Sequence, residues 1–157
     1  FLLPLDGSGK AKPFRSTPAQ EFTGRYSPDG KWIAFCSDEA GMTHVFIAPA
    51  DGSGQKIQVS NERGFDPLWS PAGDRLYFGA GRAIASSGPM PERIMAVDLG
   101  KPEHFKSPPA PTVVIETTES IAGYAITPDG KRLLLQLTKP GTPDLRALKN
   151  WTLPAAK

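Results

Sequence analysis

The chain has 157 residues and a formal net charge of +2, with its 18 basic and 16 acidic side chains intermixed. That balance gives nucleic-acid binding no electrostatic footing, and no apolar run is long enough for membrane insertion. Proline (17) and glycine (16) exceed a fifth of the residues but fall between apolar runs, which suits a turn-rich all-β protein better than a disordered one.

Residues 1–14 read as the last two strands of a repeat unit, 1–5 and 11–14, joined at Asp6-Gly7. The chain opens at Phe1 in mid-pattern, as a piece of a longer or processed chain would. After a polar connection at 15–21, a complete unit spans 22–60, with strands expected at 22–27, 31–37, 44–50 and 55–59. Residues 61–65 lead to a unit over 66–116, with strands at 66–70, 74–78, 93–99 and 112–116. It carries two insertions, 79–92 and 102–111, and the first predicts a mobile loop because it is rich in Gly, Ala, Ser and Pro. An incomplete unit, 123–153, offers strands at 123–127 and 131–137, a loop at 140–143 and a third strand at 145–153. Residues 145–149 also suit a short helical turn.

One tetrad organises these units. Ser27-Pro28-Asp29-Gly30 returns as Ser70-Pro71-Ala72-Gly73 and as Thr127-Pro128-Asp129-Gly130, at spacings of 43 and 57. Proline presets φ, aspartate tolerates the next position, and glycine supplies the positive φ that closes a bulged hairpin. Ala72 implies that the middle copy does without the carboxylate, so Asp29 and Asp129 are turn residues and not acids or ligands. A second element, Asp6-Gly7-Ser8-Gly9, recurs as Asp51-Gly52-Ser53-Gly54 at a spacing of 45, with a degenerate copy at Asp98-Leu99-Gly100. Two hairpins in roughly 40–45 residues make four strands, the content of one propeller blade. The expected fold is all-β, a partial β-propeller of about three and a half four-stranded antiparallel blades. Closed rings need about four to eight blades, so either a longer chain supplies the rest or self-association of two copies gives about seven.

The chemistry looked for does not assemble. Cys36 is the single cysteine and ends the apolar run Trp32-Ile33-Ala34-Phe35, as a buried, inert thiol would. His44 and His104 fall on different strands with no close carboxylate, so no metal site and no cofactor is expected. Ser8 and Ser53 lack the Gly-x-Ser-x-Gly spacing of a nucleophile elbow, and no catalytic residue is assigned. Gly79-Ala80-Gly81 is not a dinucleotide fingerprint, and the glycosylation triplet Asn150-Trp151-Thr152 is read as a chance match. Trp32, Trp69 and Trp151 are read as core residues.

Because each strand reverses the last, the Pro-Gly and Asp-Gly turns share one end. The other end collects 15–21, 37–43, 61–65, 79–92, 116–122 and 138–143, loops that differ from unit to unit. Variable loops on a repeated scaffold are where binding concentrates. Candidate partner-binding residues there are Arg63, Arg82 and Glu119, with Asp38 and Glu39 beside them. Arg63 and Glu119 precede the first strands of their units, which places them near the mouth of a central channel.

The run Ser27 through Phe35, followed by Val45-Phe46-Ile47 and Asp51-Gly52-Ser53, resembles the WD40-like propeller repeat of the TolB type (PD40). Pro67-x-Trp69-Ser70-Pro71 matches the start of the next repeat. The resemblance covers nearly the whole chain and is most specific in the second and third units. It implies a non-catalytic module for a protein or peptide partner, within a larger bacterial protein of the envelope or of a kinase-attached sensor, in a periplasmic or other extracytoplasmic setting. The alternative it implies is the propeller of a prolyl-oligopeptidase-like serine peptidase. The closing Leu148-Lys149-Asn150-Trp151-Thr152 is similar to the way kinase-attached propellers finish.

Overall fold

β1 (Glu21–Tyr26), β2 (Trp32–Ser37), β3 (His44–Pro49) and β4 (Ile57–Gln58) pair antiparallel in chain order as one four-stranded sheet. β5 (Gly64–Trp69) and β6 (Arg75–Ala80) are followed by a two-residue pair, β7 (Ala83–Ile84) and β8 (Gly88–Pro89), and then by β9 (Arg93–Asp98) and β10 (Thr112–Glu116). β5, β6, β9 and β10 form the second four-stranded sheet. β11 (Ser120–Ile126), β12 (Leu133–Lys139) and β13 (Thr142–Arg146) form a three-stranded sheet. The structure, a computed structural model, describes residues 1–81, 83–84, 88–89, 91–100, 108–139 and 142–146; for 83–84, 88–89, 139 and 142–146 only the backbone is described. No described residue is helical.

The middle strands of the first two sheets carry apolar residues on both faces, because each of those sheets is covered on two sides, whereas β12 alternates buried Leu133, Leu135 and Leu137 with exposed Leu134 and Gln136. On β2 and β3, Ala34, Cys36, Val45 and Ile47 pack with Leu76, Phe78, Met95 and Val97 of the second sheet. The alternate residues Ile33, Phe35, Phe46 and Ala48 turn the other way, onto Leu2 and Phe14 of the N-terminal segment. The second sheet repeats the arrangement, giving Tyr77, Ile94 and Ala96 to Leu133, Leu135 and Leu137 of β12. The period of two thus sorts the side chains of β6 and β9 between the first and third sheets. Successive blades are also joined near their first strands. The Trp69 indole donates to the Arg25 carbonyl at 3.1 Å, and the Tyr124 hydroxyl donates to the Asp66 carbonyl.

Every first strand contains a one-residue bulge, between Phe22 and Arg25, between Phe65 and Leu68, and between Ile121 and Gly123. Thr23 and Asp66 sit in the first two bulges at φ 51° and 48°, non-glycine residues in the left-handed region. They lie one repeat apart, so the bulge belongs to the repeat. Pro67 falls inside its bulge, where the ladder makes no demand on its missing N–H.

The tetrads form the expected turns, with Gly30, Gly73 and Gly130 at φ 71°, 76° and 71°. In the first, the Ser27 hydroxyl donates to Asp29 at 2.6 Å, and Asp29 also accepts the Lys31 N–H at 3.1 Å. Thr127 and Asp129 repeat this, with the Lys131 N–H at 3.0 Å. The middle copy has not lost its carboxylate, contrary to what Ala72 implied, since Asp74 supplies it from two positions later. The turns stack: a Cβ on Gly73 would lie 3.4 Å from Cδ of Pro28, and one on Gly130 would lie 3.6 Å from Cδ of Pro71.

Several strand bounds differ from expectation. The two N-terminal strands reduce to one antiparallel bridge, Leu2 to Lys12, with N–H···O distances of 2.7 and 2.8 Å. The 79–92 insertion contains the β7–β8 pair and is not wholly irregular. β12 runs on to Lys139 and β13 starts at Thr142, three residues earlier than expected. Pro143 pairs with Thr138 there, a position that an edge strand tolerates.

Candidate functional site

The loop end is built by the connections that enter β1, β5 and β11. Arg63 lies half-buried in the turn immediately before β5, and Glu119 immediately before β11, with its N–H donating to Thr117 Oγ1 at 3.0 Å. Both therefore lead into first strands, as the repeat arithmetic placed them. Asp38 accepts the Gln20 N–H at 2.8 Å and ties the β2–β3 loop to the segment entering β1. Glu39 forms an ion pair with Lys56, whose ammonium also lies 4.6 Å from the centre of the Phe46 ring. Arg82 lies outside the described residues, as do His104, Trp151 and the Asn150 triplet. The structure thus gives Asp38 and Glu39 local partners within their own sheet, which the sequence did not show. A further ion pair, Arg93 to Glu62 at 2.7 Å, joins β9 to the β4–β5 turn.

Two concavities adjoin the first strands. A 550 Å³ cleft lies between the N-terminal segment and β1–β2, lined by Phe14, Arg15, Glu21, Phe22, Tyr26 and Phe35 among others. A 250 Å³ hollow is lined by Arg25, Asp66, Pro67, Leu68, Ala122, Gly123 and Tyr124, drawn from three consecutive first strands. Burial pushes the Tyr124 phenol well above its ordinary 10.0, and the Asp66 charge adds to that rise. Sequence reasoning missed both places. The Thr23–Asp66 spacing equals that of Ser27 and Ser70, and could have disclosed the bulge beneath the second hollow.

His44 and Ser60 form a pair that the sequence also did not show. His44 Nδ1 lies 3.1 Å from Ser60 Oγ and 3.3 Å from Gln58 Nε2, while Ser60 Oγ accepts the Val45 N–H at 3.0 Å. Ser60 is 3% exposed and His44 9%, so the hydroxyl is enclosed and pins the end of β4 to β3. Ser53, in the repeated Asp-Gly-Ser turn, gives its N–H to Asp51 at 2.8 Å. Cys36 is fully buried, and burial pushes its thiol up to about 11 although the Thr23 hydroxyl donates to the sulfur at 3.1 Å. Among the described residues no group of three His, Cys, Asp or Glu side chains is placed to hold a metal ion, and no helix is long and apolar enough to cross a membrane.

Antiparallel sheets of four, four and three strands, packed face to face and joined by side-chain hydrogen bonds between their first strands, define a partial β-propeller. Its fold is TolB-like. The chain superposes on TolB from Acinetobacter baumannii with a TM-score of 0.62 at 24% identity, covering 88% of this chain and 32% of that one. Putative TolB from Agrobacterium tumefaciens gives a TM-score of 0.58 at 18% identity, over 83% of this chain and 42% of that one. A structure from a study of two prolyl endopeptidases gives 0.51 at 22% identity, over 85% of this chain and 22% of that one. The chain therefore spans less than half of each of these three proteins. No family model and no curated protein matches it.

Proposed function

We propose that the chain is a non-catalytic, TolB-like propeller module that binds a protein or peptide, within a larger bacterial protein of the envelope or sensor type. The carrying observation is the contrast between the two ends. At the turn end, Ser27, Ser70 and Thr127 all spend their hydroxyls on turn carboxylates, and Asp6 and Asp51 close their own turns. At the loop end, Arg63 and Glu119 directly precede first strands, Asp38 and Glu39 lie between β2 and β3, and the order of the sequence assigns Arg82 to the same end. Opposite charges at that mouth steer a partner, an effect that salt weakens. The resemblance to TolB-type repeats supports an extracytoplasmic setting.

The test reverses charges at the two ends against a partner captured by cross-linking to the full parent protein. Arg63→Glu with Glu119→Arg should weaken binding at least tenfold, whereas Lys31→Glu with Lys131→Glu should leave it nearly unchanged. Lys31 lines a 510 Å³ hollow at the turn end, so the second pair also probes that concavity. Equal losses would remove any special role for the loop end.

The prolyl endopeptidase likeness favours a second reading, a peptidase propeller whose catalytic domain lies elsewhere in the parent protein. An α/β-hydrolase domain encoded in the same reading frame would support it; a kinase domain and membrane span would support a sensor. Peptide hydrolysis by this chain alone, abolished by Ser53→Ala, would overturn the non-catalytic reading. Ring closure needs about four to eight blades, so strands from a longer chain or a second copy complete the ring. Sedimentation at micromolar concentration distinguishes these, and a well-behaved monomer with a cooperative melt would count against both.

A further inference from the structure

Asp66-Pro67 is the one Asp-Pro bond in the chain. It falls in the bulge of β5, where neither residue pairs across the ladder between Phe65↔Gly79 and Leu68↔Tyr77. Asp66 is held at φ 48°. A residue before proline prefers extended backbone, so a left-handed one carries strain that the surrounding sheet maintains. Thr23 takes the same conformation one repeat earlier, but it has no carboxyl and is followed by Gly24, so the bulge alone does not call for this dipeptide. Two further features single it out. The Tyr124 phenol donates to the Asp66 carbonyl oxygen, the acceptor of the Asp66–Pro67 amide. Asp66 is exposed, and its carboxylate has no hydrogen-bond or ion-pair partner among the described residues. Both residues of the bond line the 250 Å³ hollow, which has room for water, while the Pro67 ring is fully buried.

We infer that Asp66–Pro67 is a self-cleavage site, at which the Asp66 carboxyl cuts its own backbone and Tyr124 stabilises the charge that develops on the carbonyl oxygen. A side-chain oxygen of Asp66 attacks the carbonyl carbon of the same residue and closes a five-membered anhydride. The C–N bond to Pro67 breaks, and the carboxyl proton passes to the proline nitrogen, which leaves as a secondary amine. One water then opens the anhydride to two carboxyls, so the net change is hydrolysis, with nothing oxidised or reduced. The need for that proton makes cleavage faster in mild acid. Among the described residues, the titratable and charged groups facing Asp66 are Arg25 of β1, Cys36 of β2 and Tyr124 of β11. Burial raises the phenol, so it stays a donor throughout the acid range. The bond lies on β5, between the first strands β1 and β11 that line the same hollow. After the cut, residues 1–66 and 67–157 stay joined by the pairs Gly64↔Ala80 and Phe65↔Gly79 and by the packing of the first two sheets. The reaction acts once, on the chain itself, and is independent of the binding role proposed above.

The full chain, held at about pH 5 where the turns keep their carboxylates ionised, is followed by mass spectrometry for the fragments 1–66 and 67–157. They should form at least tenfold faster from the folded chain than from the chain unfolded in guanidinium chloride at the same pH, which reports the intrinsic lability of the dipeptide. The rate constant should not depend on protein concentration, and in ¹⁸O-labelled water the 1–66 fragment should gain one heavy oxygen. Tyr124→Phe should slow the folded reaction at least tenfold with an otherwise unchanged amide spectrum. Asp66→Gly accepts the same φ without a carboxyl and should abolish it. Cleavage of the folded chain no faster than of the unfolded one would overturn the proposal, and that comparison needs no variant, so it decides even if Tyr124→Phe fails to fold. Fragments that persist in Asp66→Gly, or a rate constant that rises with protein concentration, would also overturn it, because the cut would then come from another molecule.

Discussion

The Ser70 hydroxyl donates to the Asp74 carboxylate at 2.7 Å while accepting the Arg75 N–H at 3.1 Å. Ser27 and Asp29 make the same link with the carboxylate two residues earlier in the chain, so the hydroxyl is the fixed partner and the carboxylate is movable. Asp74→Ala should cost about 1 kcal/mol, because a hydrogen bond to a charged group is lost at an exposed turn. Ala72→Asp should be close to neutral alone and should restore most of that loss in the Asp74→Ala background. Urea midpoints of the four chains decide it; an unrescued double variant would show that the positions are not equivalent.

Acid should loosen the turn end. The Ser27 hydroxyl, followed by the Lys31 N–H, holds Asp29 below its ordinary 3.8; the Thr127 hydroxyl and then the Lys131 N–H do the same for Asp129. A carboxylate depressed in the folded state contributes stability above its unfolded pKa and loses it as pH falls through the folded value. Thermal midpoints should therefore be insensitive to these groups above about pH 5 and should decline below 3.8. Asp29→Asn with Asp129→Asn should flatten that decline. An unchanged acid limb in the double variant would assign the loss to other carboxylates.

Cys36 should be silent to thiol reagents in the folded protein. Its sulfur is fully buried beside Thr23 and points toward the Gly64 carbonyl at 3.9 Å, and its raised pKa leaves almost no thiolate at pH 8. Labelling by an aromatic disulfide at pH 8 should proceed at the rate of unfolding and accelerate with urea. Immediate stoichiometric labelling would show that the first two sheets separate locally.

Gly64 marks a close approach between those sheets. A Cβ there would lie 2.9 Å from Val45 Cγ2, 3.1 Å from Ser60 Cβ and 3.2 Å from Phe78 Cδ2. Gly64→Ala should cost about 1–3 kcal/mol through overpacking. Gly24→Ala, whose nearest atom is Ile33 Cγ2 at 3.8 Å, should cost less. Equal losses, read from denaturation midpoints, would attribute the effect to strand propensity.

The blade pattern was legible because turn chemistry and alternation are local. Thr112–Glu116 emerged with the expected bounds, and β3 within one residue, since β-branched and aromatic residues and flanking turn signals delimit them. What escaped notice depends on non-local partners. The N-terminal segment shows one bridge at Leu2 because no further strand pairs there among the described residues. Pro143 looked like a stop, yet an edge position removes the demand on its missing N–H. Chain order alone placed Arg63 and Glu119 just before first strands. Arg15 carried no motif, and the two rings that pack near its guanidinium come from Phe14 and from the distant Phe35.

The nesting of Pro28 against Gly73 and of Pro71 against Gly130 makes the junction between blades interchangeable. Each unit presents a proline to its successor and a glycine to its predecessor, so excising one whole unit would bring Pro28 against Gly130 with the same chemistry. Duplication or loss of about 43 residues between tetrads would then conserve every turn-end seam. A gene encoding such units can change the size of its ring without having to reinvent the joint.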